Sequence, residues 1–407
     1  MIYKERTLKF SFTVASENFK VILLTGPRQV GKTTFLRGIA GAERSYVTLD
    51  NPKDLALARN EPDLFFQTYP PPVLIDEIQY APSLFPYIKM LADNSETNGL
   101  VWMTGSQRFE LMANVTESLA GRIHIMEMQG FSMYERDGAA NQKPFLGPLS
   151  DHRQAGVLTL RNLADTYEII WRGSYPGLLN MAPGQEAAFF DDYLRTYIER
   201  DVRQIVNISS LTDFVRFISV AATRTAQELN IADIARNVDV APNTAKQWLS
   251  VLEATGLIYL LKPYFKNIAK RLIKKPKLYF MDTGLAAHLA SWSTPVTLEK
   301  GAMSGSIFET FVVSEILKSY WHNNKKPSVY YYREASGVEV DLLLEQDGKL
   351  YPAEIKKTAN PSPSDAAAFT KMSESLNVEI GHGTVICLTD RPRPLTPTTT
   401  AISVWNM

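Results

Sequence analysis

The chain has a single cysteine, Cys387, in 407 residues. No internal disulfide can form, and no thiolate zinc cluster can be assembled. Histidine is scarce as well: the 5 present are scattered, with no spacing that suits metal ligation. Net charge is missing, because 43 Lys and Arg balance 43 Asp and Glu. No global field draws the chain to nucleic acid or membrane, so any such binding needs a local patch. Long apolar runs are absent. None approaches the roughly 18 residues that span a bilayer, and the charged N-terminus has no signal-peptide core. A soluble, cytoplasmic protein without a membrane partner is expected, built from about two to three domains.

What is present starts with a loop. Gly26, Pro27, Arg28, Gln29, Val30, Gly31, Lys32 and Thr33 fit the P-loop pattern, two glycines followed by Lys and Thr. The apolar run 21–24 precedes it and a helical stretch beginning at Thr34 follows. That context suits nucleoside triphosphate binding, with ATP as the expected ligand. Backbone N–H groups wrap the phosphates, aided by the helix N-terminus. Lys32 would reach the β- and γ-phosphates, and the Thr33 hydroxyl would sit on Mg²⁺.

Apolar runs at 21–24, 46–49, 73–75, 100–104 and 123–128 alternate with helical stretches. This rhythm predicts an α/β domain with a parallel sheet over residues 1–150. The run at 73–75 ends in Asp76 and Glu77, the pattern of a Walker B strand. Asp76 would hold Mg²⁺ and Glu77 would polarise the attacking water. The next strand runs into Ser106 and Gln107, which could sense the γ-phosphate or simply end the strand. Arg122, after Gly121, reads either as a finger acting in cis or in trans, or as a surface arginine. A trans finger would require a homo-oligomer. The polar stretch 136–153 reads as an exposed linker or insertion.

Residues 151–210 read as a helical lid, broken at Arg172-Gly173-Ser174-Tyr175-Pro176. Over 211–278 two short helices joined at 239–241 predict a winged helix. Ala245, Leu249 and Leu252 would face the core, leaving Asn243, Thr244, Lys246 and Gln247 outward where a recognition helix meets DNA. The basic stretch that follows carries Lys262, Lys266, Lys270, Arg271, Lys274, Lys275 and Lys277 with no acid among them. It suits contacts to a phosphate backbone, or is a solvated loop.

From 279 to 407 an apolar helix carrying Glu309 precedes strands at 329–333, 338–344 and 350–357. Asp347 and Gly348 form a hairpin turn between the last two. Glu354 and Lys356 share a face across Ile355, and Asp341 lies on the partner strand. The Pro- and Thr-rich tail at 392–400 reads as irregular.

Taken together, the text GPRQVGKTT, VLIDEIQ, TGSQ and SLAGR resembles the AAA-type ATPases that carry a C-terminal DUF4143 domain. The likeness extends over nearly the whole chain. It implies that Gly173 to Pro176 is the Gly-x-x-Pro element whose proline, Pro176, lies near bound nucleotide; Ser174 stands where a second Gly is often seen. Residues 197–202 also match the family text, and packing between lid helices accounts for them. Glu309, Asp341, Glu354 and Lys356 resemble the set of the PD-(D/E)xK nuclease fold. There the acids would hold Mg²⁺ and the lysine would activate water. Three readings remain open: an ATP-driven machine acting on DNA, a nucleotide switch holding a protein partner, and an ATP-gated endonuclease.

Overall fold

The computed structural model describes residues 3–105, 119–147, 159–197, 202, 210–267, 271 and 274–407. Five parallel strands form the first sheet: β1 (Val21–Thr25), β2 (Ser45–Thr48), β3 (Val73–Asp76), β4 (Val101–Gly105) and β5 (Ile123–Glu127). Their order is β2-β3-β4-β1-β5. Every residue of β1 and β4 is buried, as parallel strands covered by helices on both faces must be. All run the same way, so the ends of β1, β3 and β4 meet at one edge. The loop after β1 therefore opens where ligands of such sheets bind.

Helices Leu163–Arg172 and Glu186–Tyr197 follow, the first capped by the Asn162 side chain on the Asp165 amide. Next come helices Leu211–Thr223, Ile231–Val238 and Pro242–Ala254. A small antiparallel sheet closes this region, in the order β6 (Gln227–Glu228), β8 (Lys277–Phe280), β7 (Ile258–Leu261). Helices Thr283–Leu289 and Pro295–Lys300 pack back on helix Leu163–Arg172.

The C-terminal region is a long helix, Ser304–Trp321, against a six-stranded mixed sheet. The strands are β9 (Val329–Arg333), β10 (Glu339–Gln346), β11 (Lys349–Ile355), β12 (Gly383–Cys387), β13 (Arg393–Thr396) and β14 (Thr399–Ser403). The expected hairpin is present, with Asp347 and Gly348 at φ 51° and 78°. The tail expected to be irregular instead forms the β13–β14 hairpin, with Pro394 on the edge strand, where a missing N–H does no harm. The long helix is buried nearly all round because its second side docks on the first domain. Glu315 accepts from the Met133 amide at 2.8 Å, Lys318 donates to the Phe131 carbonyl at 3.1 Å, and His322 accepts from the Gln129 amide at 3.3 Å. Residues 142–147 are no exposed linker either: Phe145 is buried and its amide donates to Ser319 Oγ at 3.0 Å. One apolar core runs from the inner face of the parallel sheet through helices Leu163–Arg172 and Glu186–Tyr197 to this helix.

Candidate nucleotide site and carboxylate cluster

The loop after β1 is shaped by glycine. Gly26 has φ 146°, and a Cβ there would lie 2.0 Å from the Met128 carbonyl oxygen, so no larger residue fits. Gly31 is left-handed at φ 92° and opens helix Lys32–Ile39. Lys32 is buried, and its Nζ donates to the carbonyls of Gly26 at 2.9 Å and Pro27 at 2.7 Å.

Asp76, at the end of β3, lies across from this loop. Its Oδ1 accepts from Thr33 Oγ1 at 2.7 Å and from Thr104 Oγ1 at 2.5 Å. Burial pushes its carboxyl above the ordinary range, and the two hydroxyls partly offset this. Thr104 also accepts from the Glu77 amide at 3.0 Å, so one hydroxyl fixes both acids. Glu77 is left-handed at φ 58°, a strained conformation that turns it into the cavity beside the loop. Its carboxylate accepts from Nε2 of the Gln79 side chain. The hydroxyl of Thr33 and the carboxylate of Asp76 are hard oxygen donors of the kind Mg²⁺ takes.

That cavity measures about 950 Å³, at the upper end of the size of ligand pockets. Residues Arg28 to Thr34 form one wall, and Pro176, Gly177 and Asn180 form another. Pro176 faces the loop, with its Cγ 3.8 Å from where a Gly31 Cβ would stand. The segment before it is pinned by Asp282, which accepts from the Ser174 amide at 2.6 Å and the Ser174 hydroxyl at 2.7 Å. Gly173 is obligatory: at φ 78°, an added Cβ would lie 2.5 Å from Asp282 Oδ1.

Sequence reading missed three cations here. Arg136 and Arg172 line the cavity, and burial together with Arg172 pulls the Arg136 guanidinium below its usual range. Arg6 donates to the Val30 carbonyl of the loop at 3.0 Å and pairs with buried Glu135 at 3.1 Å. His322 also meets Glu135, at 3.3 Å. Burial opposes the Glu135 charge, but Arg6 and His322 outweigh it and hold the carboxyl far below its usual range. Only Arg172 had a local signal, adjacency to the Gly-x-x-Pro text.

Arg122 is placed elsewhere. It precedes β5 at the edge of the sheet opposite the phosphate loop and pairs with Asp93. It does not reach the nucleotide site of its own chain, which removes the cis finger. Ser106 and Gln107 lie outside the described residues.

A second polar centre lies in the C-terminal region. Glu309 of the long helix, Glu339 and Asp341 of β10, and Glu354 of β11 come together as their strands pair. Lys356 meets Glu354 Oε1 at 2.6 Å, and Asp341 Oδ2 accepts from the Ile355 amide at 2.9 Å. Into this set β8 inserts Lys277, whose Nζ is 2.7 Å from Glu339, 3.4 Å from Glu309 and 3.8 Å from Asp341. Tyr279 donates to Glu309 Oε1 at 2.6 Å. Burial, then Asp341, raises the Glu309 carboxyl to about 7 and that of Glu354 to about 8. The four expected residues are gathered, but the expected divalent ions do not fit as the side chains stand. Among the described residues no three Asp, Glu, His or Cys are placed to hold a metal.

Three family models match the chain. One described as an AAA domain covers residues 18–136, and two domains of unknown function follow: DUF8612 at 163–296 and DUF4143 at 304–407. Uncharacterized proteins of Mycobacterium tuberculosis and Mycobacterium bovis are each 31% identical to it over 368 residues, covering 89% of this chain and 76% of theirs. The chain belongs to the AAA-domain family with a C-terminal DUF4143 domain. It is thus an ATP-binding protein of the AAA ATPases. Among solved structures, a Thermotoga maritima RuvB variant gives a TM-score of 0.31 at 13% identity, covering 62% of this chain and 88% of that one. The Aeropyrum pernix ORC2 protein in its ADP form gives 0.27 at 13%, covering 62% and 84%. No helix among the described residues is long and apolar enough to cross a membrane.

In this AAA protein the residues expected to meet DNA divide. Asn243, Lys246 and Gln247 are exposed on helix Pro242–Ala254 and Thr244 is half-buried, while Ala245, Trp248, Leu249 and Leu252 are buried. Lys274 and Lys275 are exposed, and Lys266 donates to the Asn377 carbonyl at 3.1 Å. Lys270 lies outside the described residues. Arg271 is not free for phosphate: it pairs with Glu345 at 3.0 Å and stacks 4.1 Å over the Tyr264 ring. Lys277 is likewise internal. Tyr264, earlier in this stretch, joins the DUF4143 sheet, its amide donating to the Tyr331 carbonyl at 2.7 Å.

Proposed function

We propose that the protein binds ATP with Mg²⁺ at the loop from Gly26 to Thr34, hydrolyses it, and couples nucleotide state to its two C-terminal regions on DNA. The hydrolytic part rests on the shared hydroxyl network of Thr33, Asp76, Thr104 and Glu77. Bound Mg²⁺ would neutralise phosphate charge. Lys32 would exchange its two carbonyl partners for phosphate oxygens. Glu77 would orient water, while Gln79 holds the carboxylate.

The coupling part rests on one observation. Strand β8 delivers Lys277 at its start, and Asp282, just past its end, pins the segment that carries Pro176. A shift of Pro176 against bound phosphate therefore pulls on a strand that reaches the carboxylate cluster. The DNA part is supported by the exposed polar start of helix Pro242–Ala254, read as the recognition helix of a winged helix, and by Lys274 and Lys275 nearby. Duplex DNA is titrated at two salt concentrations, with and without ATP, using wild type and Lys32→Ala. Binding that weakens with salt and responds to ATP only in wild type is expected; no binding at low salt removes DNA.

A nucleotide switch holding a protein partner is the second reading. The ammonium of Lys277 inside the carboxylate cluster favours it over cleavage. Glu77→Gln would then lock the partner on, and an unchanged interaction would end that reading.

A further inference from the structure

Lys277 enters the carboxylate cluster from outside the DUF4143 sheet. It lies on β8, in the small sheet of the preceding region, and is only 4% exposed. A buried ammonium needs anionic partners, since water is not there to solvate it. It meets three carboxylates from two separate elements: Glu309 from the long helix, Glu339 and Asp341 from β10. Tyr279, two residues further on the same face of β8, hydrogen-bonds Glu309 as well. One strand thus supplies both a cation and a proton donor to the centre of the cluster. On the far side, Glu354 pairs with Lys356 through Oε1, while its buried Oε2 has no hydrogen-bond partner.

We propose that Lys277 is a built-in cation standing where a divalent metal would sit, and that the DUF4143 cluster is a latent metal site closed by this residue. The inference deepens the nuclease-like reading of Glu309, Asp341, Glu354 and Lys356 and rests on it for the kind of ion. The ladder of β8 with β6 and β7 holds the Lys277 backbone against the cluster. With the ammonium removed, Glu309, Glu339 and Asp341 lose their shared counter-charge, and a hard divalent cation replaces it.

The test is a Mn²⁺ titration of the full-length, nucleotide-free protein followed by electron paramagnetic resonance. Wild type is expected to show no Mn²⁺ site that Asp341→Asn removes. Lys277→Met is expected to gain one site, at least about tenfold tighter than any in wild type, and to lose it when Asp341→Asn is added. Mn²⁺ should also raise the melting temperature of Lys277→Met and leave that of wild type unchanged. A wild-type site that disappears in Asp341→Asn overturns the proposal, as does a folded Lys277→Met with no new site. Should Lys277→Met fail to fold, Lys277→Gln takes its place, and the wild-type arm decides on its own. ATP turnover and DNA binding are read separately, so their failure would not be mistaken for this one.

Discussion

Lys32 and Lys277 are both buried, both bound to oxygen and both at the heart of a polar site, yet their partners differ. Lys32 meets two neutral carbonyls of its own loop. Lys277 meets carboxylates from two other elements. A phosphate brings negative charge that outcompetes a carbonyl for Lys32, so the first site is poised to take a ligand. Nothing of the kind draws Lys277 away from acids that already balance it. The same side chain makes one site receptive and the other closed, and the difference lies in the charge of the acceptors.

The first way to sharpen this contrast is to keep the receptive site and remove its chemistry. Glu77→Gln should lower ATP turnover by about 100-fold or more while ATP affinity, read by calorimetry, stays near wild type. Cutting the link between the two sites comes next. Asp282→Asn puts an amide where a carboxylate accepts from Ser174 and Leu285. Losing a charged acceptor of this kind is expected to cost about 1.5–3 kcal/mol, and ATP affinity should fall roughly tenfold as Pro176 loosens.

A smaller effect is expected in the closed site. The Glu309 and Glu354 carboxyls sit at about 7 and 8 against an ordinary 4.5. A raised folded value stabilises below 4.5 and loses that contribution as pH rises through 7 to 8. Glu354→Gln should therefore raise the melting temperature by about 2 °C or more at pH 8, with no gain at pH 4.5. Scanning calorimetry at the two pH values checks this. The smallest effect belongs to Arg122, outside both sites: Arg122→Ala should leave turnover of the dilute chain within about twofold. A large loss would mean that a neighbouring chain supplies the arginine.

The receptive site was largely legible in the sequence because its parts are local. Gly26 to Thr33 and Asp76–Glu77 each sit at the end of an apolar run, and parallel strands bring such ends together without further instruction. Thr104 was harder, though it opens the TGSQ text, because its role appears only when β3 and β4 lie side by side. Arg6, Asp282 and His322 act across more than a hundred residues and leave no local trace. The closed site was half legible. Glu309, Asp341 and Glu354 followed from strand alternation and the family likeness, whereas Glu339 was missed. Lys277 was hidden in a run of basic residues whose neighbours, Lys274 and Lys275, are indeed exposed. Only the pairing of β8 separates the buried lysine from the solvated ones.

The measurement that bears most directly on the account is ATP binding and turnover by Lys32→Ala beside wild type, with folding checked by circular dichroism. Wild type should bind and hydrolyse ATP in the presence of Mg²⁺, and Lys32→Ala, folded, should do neither. Wild-type affinity or turnover in Lys32→Ala would contradict the assignment of the nucleotide site.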